Sequence, residues 1–201
     1  RDKLKNFYIK KLNLKTPKIL KKNKTYIVRL NEKLKLNNFI KGHCNPKSST
    51  GRLNIFCRTI LDNCDEYEKI PINYKGEMFL EITTRSFNIK ITAGDKLNQM
   101  RLAKKSNNYL SDKKLDDVNK STPLIFSNKK NLIDNGIKVS VDLSDDNQIC
   151  AYVARKVSTH INFNKLKFYE TKKFWKPLKP TNKTLIIEKN EFYILKSKEK
   201  I

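Results

Sequence analysis

Asn45, Pro46, Lys47, Ser48, Ser49, Thr50, Gly51 and Arg52 gather two cations, three hydroxyls and a glycine into one short stretch, and a strand-like run over 53–60 follows at once. Ammonium, guanidinium and hydroxyl groups are donors that phosphate oxygens accept, and a curled backbone can add its N–H groups. The stretch is therefore a candidate polyphosphate cradle. It is not a Walker A loop, because Gly51 is its only glycine and no Gly-Lys-Ser/Thr follows. The second candidate is Glu81, in a run where Met78, Leu80 and Ile82 take one face of a strand and Phe79, Glu81 and Thr83 the other. A carboxylate so placed can serve as a general base. Taken alone, each has a plainer reading: a polar loop with incidental cations, and a solvated glutamate on the outer face of an antiparallel strand. The two together favour chemistry on a phosphorylated substrate.

Metal chemistry at the reacting group is not expected. Zinc hydrolases of nucleobases use His-x-Glu with Pro-Cys-x-x-Cys, whereas Asn45 stands two places after His43, and Cys44, Cys57, Cys64 and Cys150 form no Cys-x-x-Cys. The cysteines read as reduced, structural thiols.

The elements that must position these residues read as β. Period-2 alternation recurs at Tyr26, Val28 and Leu30; at Leu53, Ile55 and Cys57; at Met78, Leu80 and Ile82; at Phe87, Ile89 and Ile91; and at Val139, Val141 and Leu143. Ala93, Gly94 and Asp95 suit a hairpin turn, and no window sustains a 3.6 period long enough for a long helix. The expected organisation is a domain over 1–105, a polar linker or excursion over 106–135, and the start of a second domain over 136–201. Tyr26, Ile27, Val28, Glu32, Lys33 and Leu34 match Tyr193, Ile194, Leu195, Glu199, Lys200 and Ile201 at a constant offset of 167, as a duplication would produce.

Over 201 residues, 38% hydrophobic and 32% charged content suits a packed protein rather than a disordered one. Lys and Arg total 44 against 20 Asp and Glu, a formal charge of +24 that attracts anions of every class, although Lys scattered among Asn and Ile is also what AT-rich coding produces. No apolar run approaches a membrane span or a signal peptide, so a cytoplasmic protein without membrane partners is expected. Position 1 is Arg, and residues 192–201 read as a strand just beginning; the chain reads as a fragment.

The order Pro46-Lys47-Ser48-Ser49-Thr50-Gly51-Arg52, a strand, Tyr74-Lys75-Gly76, Leu80-Glu81, Gly94-Asp95 and 97–99 resembles the dCTP deaminases of the dUTPase-like superfamily, in their long, tandem-duplicated bacterial form. The resemblance is dense over 26–102 and thinner over 137–201. It implies an all-β fold, a distorted β-barrel or β-clip followed by the start of a similar domain. It also implies assembly as a trimer or pseudo-trimer with active sites shared between units. The implied reaction is hydrolytic deamination of dCTP to dUTP and ammonia. Lys47, Ser48, Ser49 and Gln99 would bind substrate, and Ser48, Arg52 and Glu81 would be catalytic, with Glu81 shuttling protons. Magnesium would ride on the triphosphate, with no zinc.

Relatives that also hydrolyse dUTP carry an Asp shortly before the Tyr-x-Gly turn, where this chain has Pro71, Ile72 and Asn73; a bifunctional deaminase and diphosphatase would need Asp62, Asp65 or Glu66 to swing in. A different class of function, a basic nucleic-acid-binding barrel without catalysis, would rest on Phe168, Tyr169, Phe174 and Trp175 among Lys165, Lys167, Lys172, Lys173 and Lys176. Packing between domains accounts for that cluster more simply, and nucleic acid is not the expected partner.

Overall fold

The computed structural model describes residues 7–8, 10–106, 110–126 and 132–200. In chain order the elements begin with β1 (Lys18–Leu20), β2 (Thr25–Lys35), β3 (Ile40–Pro46), α1 (Ser48–Arg52), β4 (Ile55–Leu61), β5 (Lys69–Ile70), β6 (Lys75–Thr84), β7 (Asn88–Ile91) and β8 (Asn98–Lys104). They continue with α2 (Asp112–Ser121), β9 (Ala151–Ala154), β10 (His160–Asn162), α3 (Thr171–Phe174), β11 (Trp175–Leu178) and β12 (Tyr193–Leu195). The strands pair into four three-stranded sheets, and no closed barrel forms among the described residues. The fold is all-β in class, as its alternating runs predict. No helix among the described residues is long and apolar enough to cross a membrane.

Two compact units divide the chain, one running to Lys105 and including Lys156–Tyr169, the other made of Ser106–Arg155 and the residues from Glu170 onward. In the first, β6 lies between β2 and β4, β3 between β5 and β8, and β7 between β1 and β10. Met78, Leu80 and Ile82 are buried on one face of β6, so the period-2 pattern fixes which face Glu81 must take. Met78 joins Cys44, Leu61, Ile70 and Tyr74 in a core flanked by Leu30, Leu34, Leu36 and Cys64. Each such large apolar side chain contributes on the order of 2 kcal/mol when buried. Tyr74 also explains its glycine partner. Its hydroxyl donates to the Glu77 carbonyl and lies where a side chain at Gly76 would begin, 2.9 Å from an ideal Cβ.

In the second unit β9 carries β11 and β12 on its two edges. The sequence match at offset 167 has a structural counterpart here. The Lys21 N–H donates to the Tyr26 hydroxyl at 2.9 Å, and the Glu188 N–H donates to the Tyr193 hydroxyl at 3.0 Å. Asn23 and Asn190 both take left-handed backbone, at φ 59° and 64°, and the Lys24 and Glu191 N–H groups donate to the carbonyls of Lys21 and Glu188 at 3.2 and 3.4 Å. Beyond the turn the copies differ: Glu32 is exposed, Glu199 is buried, and Ile201 lies outside the described residues.

Three local expectations need correction. The run Val139, Val141, Leu143 forms no ladder strand, only a single bridge between Val141 and Ser197. The Ser140 N–H that would extend the ladder is taken by the buried Glu199 carboxylate at 2.6 Å, and the Lys196 N–H is taken by the Cys150 carbonyl at 2.8 Å. The turn at Ala93–Asp95 exists, closed by Asp95 on the Thr92 N–H at 2.8 Å, but β7 and β8 on either side belong to different sheets, so it is no hairpin. Residues 112–121, read as part of a polar linker, form α2. Ser111 caps its N-terminus, Asp112 sits in the first turn, and Lys120 pairs with Asp116 one turn back at 2.5 Å.

Candidate active site

At the end of β3 the chain closes into α1, one helical turn, instead of an open loop. The Thr50 and Gly51 N–H groups donate to the Lys47 carbonyl at 2.9 and 3.0 Å, so neither is left to face an anion as the sequence reading anticipates. Thr50 is fully buried and its hydroxyl donates to the Leu97 carbonyl at 2.7 Å, which also accepts the Lys47 N–H at 3.1 Å. Thr50 is thus the anchor of the turn. Ser48, Ser49 and Arg52 are left exposed, with Lys47 half-buried beside them. The β3–β8 register sets Asn45 opposite Gln99, which brings exposed Gln99 alongside the same turn.

Glu81 stands elsewhere in the chain. It projects from the outer face of β6, in register with Ile27 on β2 and Arg58 on β4. Its Oε1 accepts from the Arg58 Nε at 3.2 Å and from Nη2 of the same side chain, and its Oε2 accepts from the Tyr67 hydroxyl at 3.3 Å. The Arg58 guanidinium lies over the Tyr67 ring, 4.0 Å from its centroid. The carboxylate beside it raises the guanidinium's affinity for its proton, mainly through the hydrogen bond, so Arg58 stays charged. Ile27 and Phe56, more than half exposed, lie on the same outer face.

The six predicted side chains therefore fall into two groups. Lys47, Ser48, Ser49, Arg52 and Gln99 lie on or beside the β3–β4 turn, whereas Glu81 projects from β6 and takes its contacts from β4 and the segment after it. Among the described residues no hydrogen bond or ion pair joins Glu81 to Ser48 or Arg52, and the cation that meets Glu81 is Arg58, further along β4.

Two family models account for nearly the whole chain: the N-terminal domain of 2'-deoxycytidine 5'-triphosphate deaminase over residues 1–106 and the C-terminal domain of that enzyme over 111–201. The chain belongs to the dCTP deaminase family. A similar solved structure is the crystal structure of 2'-deoxycytidine 5'-triphosphate deaminase from Agrobacterium tumefaciens, 33% identical with a TM-score of 0.90. That match covers 98% of this chain and 59% of the Agrobacterium chain, so the present chain spans well under two thirds of that relative's length. A comparison with curated proteins gives no match.

Sequence reasoning passes over two residues of this dCTP deaminase family chain, Arg58 and Tyr67. One signal for Arg58 is available: with Ile55 and Cys57 facing inward, Phe56 and Arg58 must share the outer face with Glu81. The register that sets Arg58 directly opposite Glu81 has no such signal. Tyr67 comes from the insertion between β4 and β5, which also carries acids. Asp62, Asp65 and Glu66 are exposed there, and Glu66 pairs with Lys69 at 2.6 Å.

Proposed function

We propose that the full-length protein hydrolyses dCTP to dUTP and ammonia, with Glu81 as the proton shuttle. The observation that carries this reading is the half-buried Glu81 carboxylate, held through both oxygens on an outer sheet face, in a chain that also gathers cations and hydroxyls at the β3–β4 turn. A carboxylate and a group of phosphate-type donors with no hydrogen bond or ion pair between Glu81 and Ser48 or Arg52 among the described residues suit a pocket completed by a second copy of the protein. Self-association as a trimer or pseudo-trimer is accordingly part of the proposal. Exposed Ile27 and Phe56 beside Glu81 support it, because an apolar surface around a reacting group calls for a cover.

In this reading Lys47, Ser48, Ser49 and Gln99 hold the triphosphate end. The turn offers an ammonium, a guanidinium and hydroxyls and no carboxylate, so magnesium would be carried on the substrate's phosphate oxygens. Water loses a proton to Glu81 as its oxygen attacks C4 of cytosine, and Glu81 passes that proton to N3. The new C4 hydroxyl then gives its proton to Glu81, which delivers it to the departing amino group; ammonia leaves and the C4 carbonyl forms. Ser48 and Arg52 fix the water and the developing charge.

Ammonia release from dCTP by the full-length protein tests the reading. Glu81→Gln should lower kcat by about 10²–10⁴-fold, the scale of a lost general base. A folded Glu81→Gln protein with wild-type turnover would overturn it.

A further inference from the structure

We propose that Arg58 and Tyr67 are positioning residues that fix the Glu81 carboxylate for proton transfer; the proposal rests on the reading of Glu81 as the shuttle. An isolated exposed ion pair carries little weight, since long side chains lose order to make it and water screens it. Here the contacts close on themselves. Both oxygens of Glu81 are held, Oε1 by the two guanidinium nitrogens and Oε2 by the tyrosine hydroxyl, while the tyrosine ring packs against the guanidinium at 4.0 Å. With two donors on one oxygen and one on the other, rotation about the last bond of the glutamate breaks at least one contact. A group that must take a proton from water and return it to N3 and then to the amine depends on such a fixed direction.

The fold supports each member separately. Arg58 is directly opposite Glu81 in the β4–β6 ladder, so its reach is set by the sheet. Tyr67 is set by its neighbour Glu68, which holds the end of the insertion in place. The Glu68 carbonyl accepts the Cys44 N–H at 2.7 Å, its N–H donates to the Thr59 carbonyl at 3.2 Å, and its Oε1 accepts the Thr59 N–H at 3.2 Å. Glu68 adopts left-handed backbone at φ 67°, an uncommon conformation for a residue with a Cβ, and those three bonds hold it there. The insertion between β4 and β5 thereby acquires a purpose: it delivers a phenol to the second oxygen of Glu81.

The test uses the full-length protein and steady-state ammonia release from dCTP. Arg58→Met should lower kcat by about 10–100-fold, the loss expected for a misdirected reacting group, with KM changed by less than about 2-fold. Tyr67→Phe should lower kcat by a smaller factor, and Arg58→Lys should recover part of the Arg58→Met loss. The discriminating measurement is the double variant. In a Glu81→Gln background Arg58→Met should cost nothing further, because Arg58 acts through Glu81; an equal loss in both backgrounds, or wild-type kcat in Arg58→Met, overturns the proposal. Wild-type turnover in Glu81→Gln alone would instead overturn the shuttle reading itself. A crystal structure of the Arg58→Met protein reads the same claim without turnover: Glu81 should leave its position, and an unmoved carboxylate refutes the positioning role.

Discussion

Gly51 carries no steric obligation inside this chain, because a Cβ built there meets no atom within 4 Å. It is also exposed, in a helical turn where alanine is the better former by about 0.5–1 kcal/mol. Gly51→Ala should therefore leave the thermal midpoint of the full-length protein unchanged or slightly higher. If the β3–β4 turn receives a triphosphate, the added methyl should raise KM for dCTP, and paired melting and kinetic measurements separate the two effects. At this scale the sequence shows the residue types and not their duties. Thr50 reads as one more hydroxyl for an anion, yet it is a buried bolt onto the Leu97 carbonyl. Arg58, which no local spacing picks out, is the cation paired with Glu81, because strand register is settled by the whole sheet.

The segment around Val139–Leu143 shows how an element can be undone by its side chains. Asp142 accepts from the Ser144 hydroxyl at 2.6 Å and pairs with Lys196 at 2.9 Å, and these partners, Ser144 first, hold its carboxyl well below the ordinary carboxylate range. The folded form thus gives up this proton more readily than the unfolded one. The stabilisation is fully present above the ordinary value and is lost as the pH falls through it toward the folded value. Asp142→Asn should therefore lower denaturant stability at pH 7, and the difference from wild type should shrink steadily below about pH 4. Where pattern and partner agree, the element is legible. Met78, Leu80 and Ile82 announce β6, whose ladder with β4 runs without a shift from Met78 to Thr84. Where a side chain intercepts the backbone, as Glu199 does at Ser140, alternation alone misleads. For α2 the signal is local: a serine cap, a first-turn aspartate and an Asp116–Lys120 pair, set in a stretch whose polarity resembles that of a linker.

Across the whole molecule the formal charge of +24 should act on capture more than on chemistry. Long-range attraction of a triphosphate is screened within about 10 Å at 0.1 M salt, whereas a proton transfer inside a closed pocket is not. Raising NaCl should increase KM for dCTP while leaving kcat nearly constant, and a parallel loss of both would locate the salt effect in assembly or folding instead. The tyrosine-closed turns at Tyr26 and Tyr193 have a consequence in time as well as space. Built alike down to the left-handed asparagine, they issue the same local folding instruction to β2 and to β12. During synthesis the first turn and its partner strand β6 leave the ribosome before the second turn exists, so the first can pair before it has a rival. Refolding from denaturant presents both at once, so a slow refolding phase that disappears when Tyr193 is replaced by Phe is the expected outcome in stopped-flow measurements.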